Sequence, residues 1–308
     1  MGKSNQNVDP KLKHLSNGEI VVTSLAAGAI AGALAKTTIA PLDRTKINFQ
    51  ISHKAYSTRK AFKFLAETFK KQGPLALWRG NSATMARIVP YCAIQFTAHE
   101  QWKRILKVEQ NQGSERLFLA GSLAGVTSQA LTYPLDLARA RMAVTNKLEY
   151  STLRHVFSKI YSLEGVRAFF KGFIPTIVGV IPYAGVSFFT YDTLKRKYGE
   201  HMDTTYIIHP VASLFFGAIA GVLGQTSSYP FDIIRRRMQT DTTGKYPNMY
   251  HTLLYVYKTE GIRKGFYKGL SMNWIKGPIA VGISYSTYDN IRDMLRTFVV
   301  KFKKESLV

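Results

Sequence analysis

Along this chain, uncharged apolar runs alternate with polar, charge-rich segments. Ile20 to Ala35, Leu117 to Leu135 and Phe173 to Tyr191 contain no Asp, Glu, Lys or Arg, and Tyr206 to Phe231 carries only His209. Two shorter runs, Ile88 to Ala98 and Gly277 to Tyr288, complete a set of six. Crossing a hydrocarbon layer takes about 20 helical residues, so the pattern predicts six membrane-crossing helices. The two short runs reach that length only when extended through Met85-Ala86-Arg87 and through Leu270 to Lys276. The extension places Arg87 and Lys276 inside spans. A cation there is costly unless it faces a watery cavity, which marks both as functional candidates.

The polar segments repeat. Each odd-numbered run ends in proline, any residue, acid, two residues, base: Pro41-Leu42-Asp43-Arg44-Thr45-Lys46, Pro134-Leu135-Asp136-Leu137-Ala138-Arg139 and Pro230-Phe231-Asp232-Ile233-Ile234-Arg235. The acids stand 93 and 96 residues apart, which divides the chain into three similar modules. Within each module the odd run carries a small-residue pair, Gly28 and Gly32, Gly121 and Gly125, or Gly217 and Gly221. Such pairs let membrane helices approach closely. Acid and base three apart share one helical face and can pair with each other. Three copies at equivalent depth point instead to a ring, in which each acid meets the base of a neighbouring helix.

A short amphipathic helix is predicted after each motif. In the first module Phe62, Leu65 and Phe69 share a face, and in the second Val156 and Ile160 do. The segments close with Gln72-Gly73 to Trp78-Arg79-Gly80, Glu164-Gly165 to Phe170-Lys171-Gly172, and Glu260-Gly261 to Tyr267-Lys268-Gly269, the third one residue longer. Each even-numbered run then ends in a second acid and base three apart: Glu100 and Lys103, Asp192 and Lys195, Asp289 and Arg292. First and second acids are 57, 56 and 57 residues apart. Two helices joined as a hairpin would carry the second set to the opposite face of the membrane. The module boundaries are 20–110, 111–205 and 206–297, with a disordered polar tail at 1–19 and a second tail at 298–308.

Composition narrows the class. Formal net charge is +23, from 42 Lys+Arg against 19 Asp+Glu, which calls for an anionic partner. A soluble nucleic-acid-binding protein would explain the charge but not six apolar spans with cations inside them. Mean hydropathy is only −0.08, because the apolar and charged residues are segregated along the chain. The single cysteine, Cys92, excludes an internal disulfide. No nucleophile–base–acid set, phosphate-binding glycine loop or metal-ligand spacing is present, so an enzyme, a cofactor and a metal are not expected.

The threefold proline motif, each copy followed by acid-Gly and aromatic-base-Gly, resembles the mitochondrial carrier family from about Ile20 to Arg296. The resemblance implies an all-α membrane protein: three tandem repeats of two transmembrane helices plus a short matrix helix, forming a six-helix barrel of pseudo-threefold symmetry. It further implies a monomer in the inner mitochondrial membrane, with cardiolipin as a lipid partner and both termini toward the intermembrane space. Carried onto matching positions, a matrix gate would pair Asp43 with Arg139, Asp136 with Arg235 and Asp232 with Lys46, braced by Gln50 and Gln239. A cytosolic gate would pair Glu100 with Lys195, Asp192 with Arg292 and Asp289 with Lys103. Gln72 departs from the pattern, standing where the family has an acid.

The substrate site is expected midway along the even-numbered spans. Arg87, Gly179 and Lys276 each lie twelve residues before the aromatic or histidine of the second motif and are equivalent by the repeat. Lys36, five residues before Pro41, adds a cation at a similar level. Several cations suit phosphate groups, and a bare glycine would let a flat ring approach the backbone. Gly179 with Val180 is similar to the adenine-nucleotide-type members of the family, and Tyr183 is placed to stack on a base. Arg141, Arg236 and Arg237 are extra bases near the proline motifs; contact with lipid phosphates and matrix anions is one reading of them, and they are left outside the site. The wider match is to the family branch of ADP/ATP, ATP-Mg/phosphate and coenzyme A carriers. It implies import of coenzyme A, with dephospho-CoA and adenosine 3′,5′-bisphosphate, against matrix adenine nucleotides, the alternative being a general adenine-nucleotide carrier.

Overall fold

The computed structural model describes residues 15–52, 56–108, 114–202 and 210–305. Residues 1–14 of the expected N-terminal tail, both expected module boundaries and the last three residues lie outside that set. Six long helices dominate: α1 (Asn17–Ile51), α3 (Asn81–Ile105), α4 (Ser114–Val144), α6 (Phe173–Met202), α7 (Pro210–Thr240) and α9 (Leu270–Glu305). Three short ones, α2 (Thr58–Gln72), α5 (Leu153–Glu164) and α8 (Met249–Gly261), follow α1, α4 and α7. Each long helix carries a proline well inside it, at 41, 90, 134, 182, 230 and 278. A proline removes one backbone donor and bends a helix without ending it when the surroundings satisfy the freed carbonyl.

Among the described residues, three stretches are long and apolar enough to cross a membrane: Gly18–Ile51, Val166–Glu200 and Val211–Thr240. Large apolar side chains stand outward on them, including Val22, Leu34, Phe189, Ile181, Leu214 and Phe215. This is the reverse of a water-soluble helix, whose apolar stripe turns inward. Six spans were expected. The remaining long helices carry Arg87, Lys276 or the charged flanks of the Leu117–Leu135 run within them.

Two compact units emerge. The smaller comprises α1 up to Ala40 and α9 from Ile275. Here Ser16 and Glu19 cap α1 reciprocally: the Glu19 carboxylate accepts from Ser16 N at 2.7 Å, and Ser16 Oγ accepts from Glu19 N at 3.3 Å. This capping box starts the helix inside the stretch expected to be a disordered tail. The expected C-terminal tail is also helical through Glu305. No Gly or Pro interrupts it, and Lys303 returns to Glu19 at 2.9 Å.

The larger unit runs from Pro41 to Trp274. Its short helices are well punctuated. Ser57, Thr152 and Asn248 cap α2, α5 and α8 through side-chain oxygens. A tight 3-10 turn, Pro74–Trp78 or Val166–Phe170, leads on to α3 or α6. In the third module the extra residue is taken up by a wider π-type turn, Ile262–Phe266. On α5, Val156 and Ile160 are buried against Leu137 and Met142 of α4. On α2 the expected face is outward: Phe62 and Phe69 are exposed while Ala61 and Thr68 are buried. Ala61 packs there against Phe49 and Met272, with Phe64 edge-on beside Phe49.

Of the expected small-residue positions, Gly28 lies in ordinary contact with Tyr288, a Cβ there standing 3.9 Å from the ring. A methyl group on Gly32, Gly121, Gly125, Gly217 or Gly221 would meet nothing within 4 Å among the described residues. Close approach occurs at Gly224 of α7, where a Cβ would collide with Ser187 Oγ and lie 2.9 Å from the Tyr183 carbonyl. Beside it, Ser227 Oγ donates to Pro182 O at 3.0 Å and Ser187 Oγ to Ala220 O at 3.2 Å, stitching α6 to α7. Gly224→Ala should therefore destabilise the protein by about 1–3 kcal/mol through overpacking. Gly221→Ala should be neutral or stabilising by up to about 1 kcal/mol, since alanine is the better helix former. Thermal unfolding of the two purified variants checks this contrast.

Candidate functional site

The proline motifs lie on three neighbouring helix segments of the larger unit. Asp43 of α1 pairs with Arg139 of α4, Asp136 of α4 with Arg235 of α7, and Asp232 of α7 with Lys46 of α1, the last at 2.6 Å. The three pairs close a ring. The acid and base of one motif share a helical face, yet each is engaged by a different helix. Gln50 donates to Asp232 Oδ2 at 3.0 Å and to the Tyr229 hydroxyl at 3.3 Å. Gln239 does the same for Asp136 at 2.7 Å and the Tyr133 hydroxyl at 3.0 Å. The tyrosines are anchored in turn: Tyr133 Oη donates to Lys171 O at 3.0 Å, and Tyr229 Oη to Lys268 O at 2.8 Å.

The ring is not threefold in its details. Arg236 reaches both Asp136 at 3.7 Å and Asp232 at 3.9 Å, and donates to Gln239 Oε1 at 2.8 Å. Contact with lipid or soluble anions was one reading of it. Its guanidinium is instead turned into the ring by the two acids that lie one helical turn away on α7 and across on α4.

Arg141 and Arg237 likewise turn inward, with only 1% of either residue exposed. Arg141 pairs with Glu164 through both terminal nitrogens and donates from Nε to Gln239 O at 3.0 Å. Arg237 pairs with Glu260 at 2.7 Å and donates from Nε to Gln50 O at 3.3 Å. Lys171 and Lys268 complete each cluster at 2.8 Å from the same carboxylate, and reach Asp241 O and Ser52 O. Each cluster thus clamps the C-terminal end of the next odd-numbered helix, where unpaired carbonyls await donors. A sequence signal for this existed: in both modules arginine and glutamate are 23 residues apart.

The first module builds its clamp differently. Asn48 occupies the position of Arg141 and Arg237, so Arg44, one turn earlier, supplies the guanidinium. It donates to Ala143 O at 3.1 Å, to Ala76 O and to Gln72 Oε1 at 3.2 Å. Arg79 adds Met142 O at 3.2 Å, Asn146 O at 2.9 Å and Tyr150 O at 3.0 Å. Two guanidinium groups therefore flank a neutral amide. A glycine with positive φ stands at 80, 172 and 269, and in the first two modules it makes room for the arrangement. A Cβ on Gly80 would sit 2.8 Å from Arg139 O, and one on Gly172 2.9 Å from Arg235 O.

The second charged set behaves otherwise. Glu100 pairs with Lys103 of its own helix at 3.1 Å, and among the described residues the expected Glu100–Lys195 pair is not made. Within the smaller unit Arg292 contacts Asp289 at 3.0 Å and Asp293 at 3.2 Å, again along one helix. Residues three apart on a helix meet without any helix moving, and such exposed pairs contribute little.

The substrate candidates divide between the two units. Lys36, exposed, and Lys276, half-buried, belong to the smaller one. In the larger unit Arg87 donates to Gln129 Oε1 at 2.6 Å and Thr132 Oγ1 at 3.1 Å, and its guanidinium lies 3.6 Å from Asp136. Val180 and Tyr183 are exposed on α6. Gly179 offers no open slot for a ring: a Cβ there would lie 3.0 Å from Phe231 Cβ. Its lack of a side chain is what lets α6 pack on the residue between Pro230 and Asp232.

Burial alone would raise the carboxyl groups of Glu164 and Glu260. Hydrogen bonds from Arg141 and Lys171, and from Lys268 and Arg237, outweigh it and hold both below the ordinary value of 4.5. This stabilisation is complete above the unfolded-state value near 4.5 and is lost as pH falls through the lower folded-state values. Glu260→Gln should cost about 3–5 kcal/mol, because Arg237 and Lys268 stay buried without a carboxylate, and should flatten the acid limb of a stability–pH profile. Gln72→Glu should act oppositely, with Asn146 turning its amide to donate. It should raise the unfolding temperature by roughly 2–4 °C, as measured by thermal denaturation in detergent.

The family model described as mitochondrial carrier protein matches three times, over residues 19–110, 112–202 and 208–298. The chain is 54% identical over 283 residues to the human mitochondrial coenzyme A transporter SLC25A42, covering 90% of this chain and 89% of that one. To the Xenopus tropicalis protein of the same name it is 51% identical over 287 residues, covering 91% and 88%. To human solute carrier family 25 member 16 it is 42% identical over 285 residues, covering 86% of each.

Proposed function

The chain belongs to the mitochondrial carrier family, and from that premise we propose that it carries coenzyme A across the inner mitochondrial membrane in exchange for adenine nucleotides. The observation that carries this reading is the likeness, above 50% identity along nine-tenths of the chain, to relatives named as mitochondrial coenzyme A transporters. The candidate residues suit the substrate chemically. Coenzyme A bears a pyrophosphate, a 3′-phosphate and an adenine, so Lys36, Arg87 and Lys276 serve as phosphate partners and Tyr183 with Val180 as the surface for the base. Gly179 contributes by letting α6 close on α7.

In this reading the ring of Asp43, Asp136 and Asp232 with Lys46, Arg139 and Arg235 is the matrix gate, and Gln50 and Gln239 hold it shut. Glu100, Lys103, Asp192, Lys195, Asp289 and Arg292 form the opposing gate when the first opens. The made ring, alongside local pairing of Glu100 with Lys103, supports a form closed on the matrix side. Alternation requires the two forms to differ by only a few kcal/mol, so that substrate binding shifts their populations. Cardiolipin is the lipid that the outward apolar faces and the net charge of +23 suit.

Liposomes containing the purified protein and loaded with ADP should take up labelled coenzyme A. Uptake no greater than in empty liposomes, with ADP/ATP exchange intact, would replace the coenzyme A reading by a general adenine-nucleotide carrier. Lys36→Ala and Lys276→Ala should each cut the exchange rate at least tenfold, on the order of the 1.5–3 kcal/mol carried by a hydrogen bond to a charged group. Both should leave the protein folded.

A further inference from the structure

The first clamp is one negative charge short of the other two. In the second module Arg141 and Lys171 share the carboxylate of Glu164, and in the third Arg237 and Lys268 share that of Glu260. In the first, Arg44 and Arg79 stand around the amide of Gln72, and among the described residues neither forms an ion pair. Helix-ending carbonyls are held in all three clamps, so the backbone does not make up the difference. Glu149, exposed, acts on Arg79 only from beyond ion-pair distance.

Donors remain at this place. Arg79 spends Nε and Nη2 on Met142 O, Thr145 Oγ1, Asn146 O and Tyr150 O, while its Nη1 makes no hydrogen bond among the described residues. Gln72 Nε2 donates to Asn146 Oδ1 at 3.1 Å, and the amide nitrogen of Asn146 makes no hydrogen bond among the described residues. Gln72 and Asn146 are both exposed, and so are Lys71 and Lys147, their neighbours along the chain.

We propose that the first clamp is an anion site, in which a phosphate group held by Arg79, Gln72 and Asn146 supplies the charge that Glu164 and Glu260 supply elsewhere. A phosphate carries up to two charges and accepts a guanidinium bidentately, whereas Gln72 offers Arg44 one neutral oxygen. Arg79 Nη1 and the Asn146 amide can donate to it without releasing any carbonyl now held. Gln72 ends α2 and Asn146 follows α4, so occupancy fastens the first module to the second. None of Lys36, Arg87 or Lys276 takes part, and the site does not depend on which substrate is carried.

The test is thermal unfolding of the full chain in detergent, titrated with inorganic phosphate against potassium chloride of matched ionic strength. Phosphate should raise the unfolding temperature saturably, by roughly 2–4 °C, where chloride does not. Gln72→Glu brings its own carboxylate and should lose most of that shift, while Lys276→Ala keeps it. A shift that survives Gln72→Glu but disappears in Lys276→Ala would overturn the inference and place the anion at the substrate site. Phosphatidic acid added to the micelles separates the two sources of the group. A shift sensitive to Gln72→Glu from the lipid alone assigns the site to a headgroup, and one from inorganic phosphate assigns it to a soluble anion. No such sensitive shift with either ligand would overturn the inference. Should Gln72→Glu not fold, Asn146→Asp, which also sets a carboxylate beside Arg79, gives the same reading.

Discussion

A carboxylate removed from water must be given a cation, and Asp136, with 3% of its side chain exposed, is where that requirement is most severe. Leaving such a group unpaired costs several kcal/mol, more than most single contacts contribute. Its partners come from elsewhere in the fold, Arg235 from α7 and Arg87 from α3. Repeating the same demand at Asp43 and Asp232 closes α1, α4 and α7 on one another. The helices meet there because their charges have nowhere else to go.

Below the ring lies a second layer that makes the first possible. Glu164 and Glu260 each hold an arginine and a lysine, and those cations are spent on the carbonyls that end the next helix. The left-handed glycines at 80 and 172 bring the start of α3 against Arg139 O and the start of α6 against Arg235 O. Module and neighbour are thus joined twice, by the ring and by the clamp. The first module departs in both chemistry and geometry, with Arg44 and Arg79 flanking Gln72. Departure from threefold symmetry recurs in the ring itself, where Arg236 and Arg87 both crowd Asp136.

The organisation into three modules, the six long helices and the positions of the acids and bases were legible in the sequence. Each depends on local order: apolar runs of helical length, prolines at a fixed register, charges at a fixed offset. Arg87 was legible too, because a cation inside an apolar run is expensive and so stands out. The family followed from the same motifs.

Other features were decided only by packing. That Gly179 is filled by Phe231, and that close approach falls at Gly224 and not at the paired glycines, depends on which helix faces which. Single-chain spacing does not contain that information. Arg141 and Arg237 look like surface cations in the sequence, for nothing local distinguishes an arginine aimed at lipid from one aimed at a glutamate 23 residues on. The sequence by itself determined that the motif acids and Arg87 lie at or inside apolar stretches, because that follows from their neighbours along the chain. The tertiary structure decided which partner answers each charge, because a partner is chosen in space, from helices distant in sequence.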